Sequence, residues 1–247
     1  GLAAQLPEIL TYSVCWHALF WVFYFVAPSL FVSVATLDAQ HGEHAYWAAS
    51  MLSTIHAVTV FALAALALWQ QPSFLYSDDF FETTPLSLLT NRIFVGYAIS
   101  DLVVALYYNS RWPGWLPNIC HHVSVTAVFM ATGAGGYAQS FCLMLISCEI
   151  STPFVNQRWF FDKAGMKNSV LYTINGIVMI LLFFIFRIVG YFLISVRIYA
   201  QWQGLLTLPV VEMVMLLFCY VVGGGLMVLW FRKMVIGAMK MLAGKKK

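Results

Sequence analysis

The chain has 247 residues, of which 62% are hydrophobic and 9% charged, with a formal net charge of +3. A water-soluble domain carries roughly 25% charged residues, so a solvated globular surface is excluded. The 13 Lys and Arg residues are spread over loops and tail and leave no nucleic-acid footprint.

What remains is a set of apolar runs, each near the roughly 20 residues a helix needs to cross a bilayer while satisfying its own amides. Seven such spans fit the length, so the expected fold is an all-α polytopic membrane bundle. The first is predicted over residues 11–35, within an amino-terminal segment 1–45 that starts at Gly1 without an initiator Met. That start points to a removed presequence or a trimmed fragment. The second, 46–69, carries His56 about ten residues in, with Ser53 one turn below it. A connection over about 70–92 holds Asp78, Asp79, Glu82, Pro72 and Pro85 and reads as an ordered surface loop. Two short spans follow, 93–109 with Asp101 at mid-helix and 118–132 opened by His121 and His122. Gly133-Ala134-Gly135-Gly136 then marks a tight reversal that splits a run too long for one helix.

The fifth span, 137–155, carries Glu149, which with Thr152 and Asn156 follows i, i+3, i+7 spacing and so forms one polar stripe. The sixth, 170–196, buries Arg187. The seventh, 207–231, begins near Glu212, an interfacial residue, and contains Gly223-Gly224-Gly225, which permits close packing or a kink. A basic tail occupies 236–247. With the amino end outside, Arg111, Arg158, Lys163, Lys167, Arg232, Lys233, Lys240 and Lys245 to Lys247 fall on the inner side, and only Arg92 and Arg197 on the outer. Cytoplasmic segments carry such an excess, which supports seven spans and a cytoplasmic carboxyl end.

Ionisable groups at bilayer depth cost a few kcal/mol and ask for a partner or a function. By this topology His121, His122, Asp101 and Glu149 share one depth, with His56 slightly deeper, so a polar pocket open towards the cytoplasmic leaflet is expected from His56, Asp101, His121, His122, Glu149, Thr152, Asn156 and Arg187. Two uses stay open for the carboxylates: pairing with Arg187 or a histidine as bundle glue, or service in a site. Adjacent helical residues point about 100° apart, so one histidine orients or packs while the other acts. A histidine beside a carboxylate suits general-base work at neutral pH. His17 reads as packing. The five cysteines lie in or beside apolar runs with no metal-ligand spacing, no resident cofactor or metal is expected, and the histidines and carboxylates within the spans form no di-iron pattern.

The stretches Ser53-Thr54-Ile55-His56, Gly96-Tyr97-Ala98-Ile99-Ser100-Asp101-Leu102, His121-His122, Ser151-Thr152-Pro153-Phe154-Val155-Asn156-Gln157-Arg158-Trp159-Phe160-Phe161 and Asn175-Gly176-Ile177 with Arg187-Ile188 resemble, in order, the TLC-domain family. The subgroup they look most like is TLC domain-containing protein 4. The resemblance implies a six-helix membrane domain over 46–235 around a central lipid pocket, an endoplasmic reticulum membrane (with a mitochondrial membrane as the alternative), and membrane lipids as partners. It also links the chain to ceramide synthases, which transfer an acyl chain from acyl-CoA to a sphingoid amine and use paired histidines. These fall here on His121 and His122, with Asp101 beside them. The synthases carry a further His-Asp pair and another Asp downstream, whereas Ser147-Cys148-Glu149-Ile150-Ser151-Thr152-Pro153 holds one carboxylate. Three functions follow as expectations: a lipid-binding or lipid-homeostasis protein, an acyl-CoA-dependent N- or O-acyltransferase with acyl-CoA as co-substrate, and an accessory subunit alongside other membrane protein subunits.

Overall fold

The computed structural model describes residues 1–30, 34, 36–38, 42–108, 112 and 114–244, all of it helical apart from short connections. Five rods are long and apolar enough to cross a membrane: Leu2–Leu30, Glu43–Gln70, Pro85–Tyr108, Val170–Ala200 and Val210–Met241. The protein is therefore a polytopic helical membrane protein.

Helix α1 is Leu2–Leu30 and α2 is Glu43–Gln70. The buried residues of α2 include Ala45, Ala49, Leu52, His56, Val60, Ala64 and Ala67. Steps of three and four place them on one face, and the small side chains let the neighbouring helices approach α2 closely. A 3-10 turn at Pro72–Leu75 leads to α3, Pro85–Tyr108, which starts about two turns ahead of the expected third span because its polar first turns are tied down locally. The Thr84 and Ser87 side chains cap each other's backbone N–H, and Arg92 pairs with Glu8 of α1 at 2.8 Å. Close approach of α1 to α3 requires a glycine: a Cβ at Gly96 would lie 2.5 Å from the Tyr12 Cβ.

Helix α4, Trp115–Gly135, matches the expected fourth span in place and is long enough to cross, at roughly 30 Å. Asn118, His121, His122, Ser124 and Thr126 make it too polar to qualify on hydropathy. The chain then reverses where expected, although the helix runs through Gly135. The turn sits at Gly136 and Ala138, both with positive φ.

The fifth expected span is broken. Helix α5, Gln139–Ser147, passes into a 3-10 turn at Cys148–Ser151 and then into α6, Thr152–Lys163. Pro153 explains the break, since it has no N–H to give to the Glu149 carbonyl and its ring crowds that group, while a first-turn position in α6 tolerates it. The sixth span is α7, Val170–Leu182, capped by the Ser169 side chain, which accepts from the Tyr172 N–H at 3.1 Å. It continues through a π-helical stretch at Phe183–Val189 into α8, Gly190–Ala200. After the short α9, Trp202–Leu205, the last helix is α10, Val210–Gly244. Gly223 gives close packing, because a Cβ there would meet the Tyr191 hydroxyl at 2.5 Å.

Alternation of these helices puts the described cations Arg158, Lys163, Lys167, Arg232, Lys233 and Lys240 at one end of the bundle, with Arg92 and Arg197 at the other. Lys163 closes the first end by pairing with Glu43. Arg111 and Lys245 to Lys247 lie outside the described residues.

Candidate functional site

A cavity of about 480 Å³ opens at the basic end of the bundle. His56, Asp101, His121, His122, Glu149, Thr152, Asn156 and Arg187 all line it, brought together from α2, α3, α4, the 3-10 turn, α6 and the π-helical stretch.

Two side-chain pairs, Asp101 with His122 and Glu149 with Arg187, organise the walls. On one side Asp101 of α3 meets His122 of α4, with Oδ2 and Nε2 3.1 Å apart and both side chains largely buried. The other carboxylate oxygen accepts from the Tyr97 hydroxyl at 3.2 Å, one turn back on the same helix face. The Tyr97 ring stacks on His56 with centroids 3.7 Å apart, and Trp16 of α1 closes on His56 edge-on at 5.6 Å. His56 is thus wedged among rings, and its Nε2 has no hydrogen-bond partner.

On the other side Arg187 forms a clamp. Its Nη2 donates to Thr152 Oγ1 at 2.8 Å and lies 3.5 Å from Glu149 Oε1. Its Nε donates to Ser151 Oγ at 2.9 Å and to the Cys148 carbonyl at 3.2 Å. Thr152 in turn donates to Glu149 Oε2 at 2.7 Å. The 3-10 turn exposes the carbonyl and hydroxyl that Arg187 takes, and the π-helical stretch supplies the extra residue that swings Arg187 inward, as such insertions often do at functional sites. Asn156 lines the cavity but spends its amide on α2, donating to the Ser50 carbonyl at 2.9 Å and to Thr54 Oγ1 at 3.0 Å.

The histidine pair divides as the helix geometry requires. Their rings are 5.6 Å apart at 81°. His122 reaches Asp101, whereas His121 turns to α10 and meets Trp230 edge-on at 5.4 Å. His122 turns Nε2 to Asp101, and its Nδ1 is buried without a hydrogen-bond partner.

A second, apolar cavity of about 80 Å³ adjoins the first, and His121 and Val125 line both. It runs between α4, α5, α8 and α10 past Val128, Leu145 and Leu217, and is closed at the far end of the bundle by Phe80, Ala138 and Leu205. Phe80 is fixed there by stacking on Tyr137 at 5.7 Å and by its carbonyl, which accepts from the Ala138 N–H at 2.8 Å. Sequence reasoning missed this chamber and several residues of the polar one, Tyr97, Trp230 and Lys233 among them. Tyr97 carried a usable signal, four residues before Asp101. Trp230 and Lys233 carried none, since α10 reads only as an apolar run.

The residues dismissed earlier are packing elements: His17 Nδ1 lies 3.4 Å from Ser100 Oγ, and Glu212 accepts from Tyr137 at 2.7 Å at the opposite end.

Comparison with known proteins adds a family to this geometry. The TLC domain matches residues 46–236. TLC domain-containing protein 4-B of Danio rerio is 29% identical over 81% of this chain and 76% of its own length. TLC domain-containing protein 4-A of Xenopus laevis is 28% identical over 89% and 86%, and TLC domain-containing protein 4 of Homo sapiens is 32% identical over 68% and 64%. The chain is a multispan membrane protein belonging to the TLC domain family.

Proposed function

We propose that the protein binds a membrane lipid, with its polar part in the cavity lined by Asp101, His122, Glu149 and Arg187 and an acyl chain in the adjoining apolar chamber. The observation that carries this reading is the junction at His121 and Val125, where a polar cavity and an apolar one share a wall inside a membrane bundle. Ligand sites combine an apolar lining with a few placed polar groups, and an amphipathic molecule matches both halves. The family resemblance suggests the endoplasmic reticulum membrane, and the excess of Lys and Arg at one end suggests that this end faces the cytoplasm. Protein purified in mild detergent is expected to carry lipid detectable by mass spectrometry, and Leu145→Trp, which fills the apolar chamber, to lose it while keeping its thermal transition. Folded parent protein free of lipid would sink the reading.

The Asp101–His122 pair favours a second reading, acyl transfer from acyl-CoA to a lipid amine or hydroxyl. His122, held by Asp101, takes the proton as the amine or hydroxyl attacks the thioester carbonyl. The C–S bond then breaks, and the thiolate leaves with that proton as CoA thiol. Labelled acyl chains are expected to enter lipid with the parent protein and not with His122→Ala. Equal incorporation by both excludes this mechanism.

A further inference from the structure

The charged residues lining the polar cavity are Asp101, Glu149, Arg187 and Lys233. Asp101 is matched by His122 and Glu149 by Arg187. Lys233 of α10 lines the same cavity and has no ion-pair partner among the described residues.

Its neighbours at the open end point the same way. Trp115 and Asn118 in the first turns of α4, with Trp230 one turn before Lys233 on α10, line the cavity there. Each offers an N–H, and the indoles can only donate. Both carboxylates of the cavity lie deeper and are already engaged. A rim of one ammonium and several N–H donors selects a ligand whose head is anionic and accepts hydrogen bonds. Trp115 opens α4, and a tryptophan near a helix end sits at head-group depth, which is where the phosphate of a leaflet lipid lies.

We infer that Lys233 seats the phosphate of a phospholipid that enters between α4 and α10 and lays an acyl chain past His121 into the apolar chamber. This rests on the lipid-binding reading above and adds the head group. Arg232 and Lys233 are both exposed, but only Lys233 lines the cavity, so Arg232 separates a seat at the cavity from general attraction of a basic helix end to anionic lipid.

The test uses the full chain reconstituted in phosphatidylcholine vesicles containing phosphatidic acid and diacylglycerol, then extracted in mild detergent, with retained lipid quantified by mass spectrometry. Parent protein and Arg232→Glu are expected to retain phosphatidic acid in preference to diacylglycerol, which lacks only the phosphate. Lys233→Glu is expected to lower that preference on the order of tenfold, and Lys233→Arg to preserve it. The inference is overturned if Lys233→Glu keeps the parent's preference, or if Arg232→Glu loses as much. Retention of lipid without preference for the phosphate head removes this inference and leaves lipid binding standing. Retention of no lipid at all removes both.

Discussion

Replacing Arg187 by Met tests the clamp that shapes one wall of the cavity. The substitution keeps the stem and deletes the guanidinium, so it removes three hydrogen bonds to oxygen, at Ser151 Oγ, the Cys148 carbonyl and Thr152 Oγ1, with a longer one to the Met227 sulfur, and leaves Glu149 without its cation. Hydrogen bonds between membrane helices average about 0.6 kcal/mol each, which makes roughly 2 kcal/mol for the three. Stranding one partner of a buried pair brings the total to about 3–5 kcal/mol. At roughly 2–4 °C per kcal/mol for a chain of this size, the unfolding midpoint should fall by about ten degrees. The buried thiols of Cys142 and Cys148 give the assay: a thiol-reactive dye reports their exposure on heating in detergent, over the baseline from exposed Cys15 and Cys120. Adding Glu149→Gln to Arg187→Met should recover part of the loss, because the glutamine carries no unpaired charge. A shift of only a degree or two, or a double variant no better than the single, would refute the view of Arg187 and Glu149 as a coupled buried pair.

Gly96→Val should destabilise the α1–α3 contact by about 1–3 kcal/mol, since the new Cβ meets Tyr12; a lowered thermal midpoint checks it, and an unchanged midpoint means the helices are not in contact there. Ser169→Ala removes the cap of α7 and should weaken its first turn by about 1 kcal/mol, seen as faster amide exchange near Tyr172 while Asn175 and the rest of the helix hold. In the folded state a small maleimide in detergent should modify Cys15 and Cys120 readily and spare Cys142 and Cys148. Labelling of Cys148 at the rate of Cys15 would contradict the packing around the 3-10 turn.

Much of the architecture can be read along the chain because lipid imposes a linear rule, that each crossing must be a long apolar run. The second and sixth spans follow it closely, the first starts nine residues earlier than expected and the seventh continues through the expected tail to Gly244, and the reversal after α4 shows in the Gly-rich stretch Gly133 to Gly136. The same rule makes each intramembrane charge conspicuous, so His56, Asp101, His121, His122, Glu149 and Arg187 stand out before any fold is known. The break at Glu149 was marked only by Pro153, and its consequence, a turn that offers a carbonyl and a hydroxyl to Arg187, depends on the residue that comes to lie opposite.

The amino-acid sequence alone determines that this is a helical membrane protein and which residues must be compensated inside it, since burial of a charge is a local cost borne by that residue wherever it packs. Only the tertiary structure decides that Asp101 takes His122 rather than Arg187, that His121 faces α10, and that Lys233 lines the cavity while Arg232 does not. Such pairings turn on the rotation and tilt of one helix against another. A π-helical insertion or a 3-10 turn shifts these by a fraction of a turn, which hydropathy does not register.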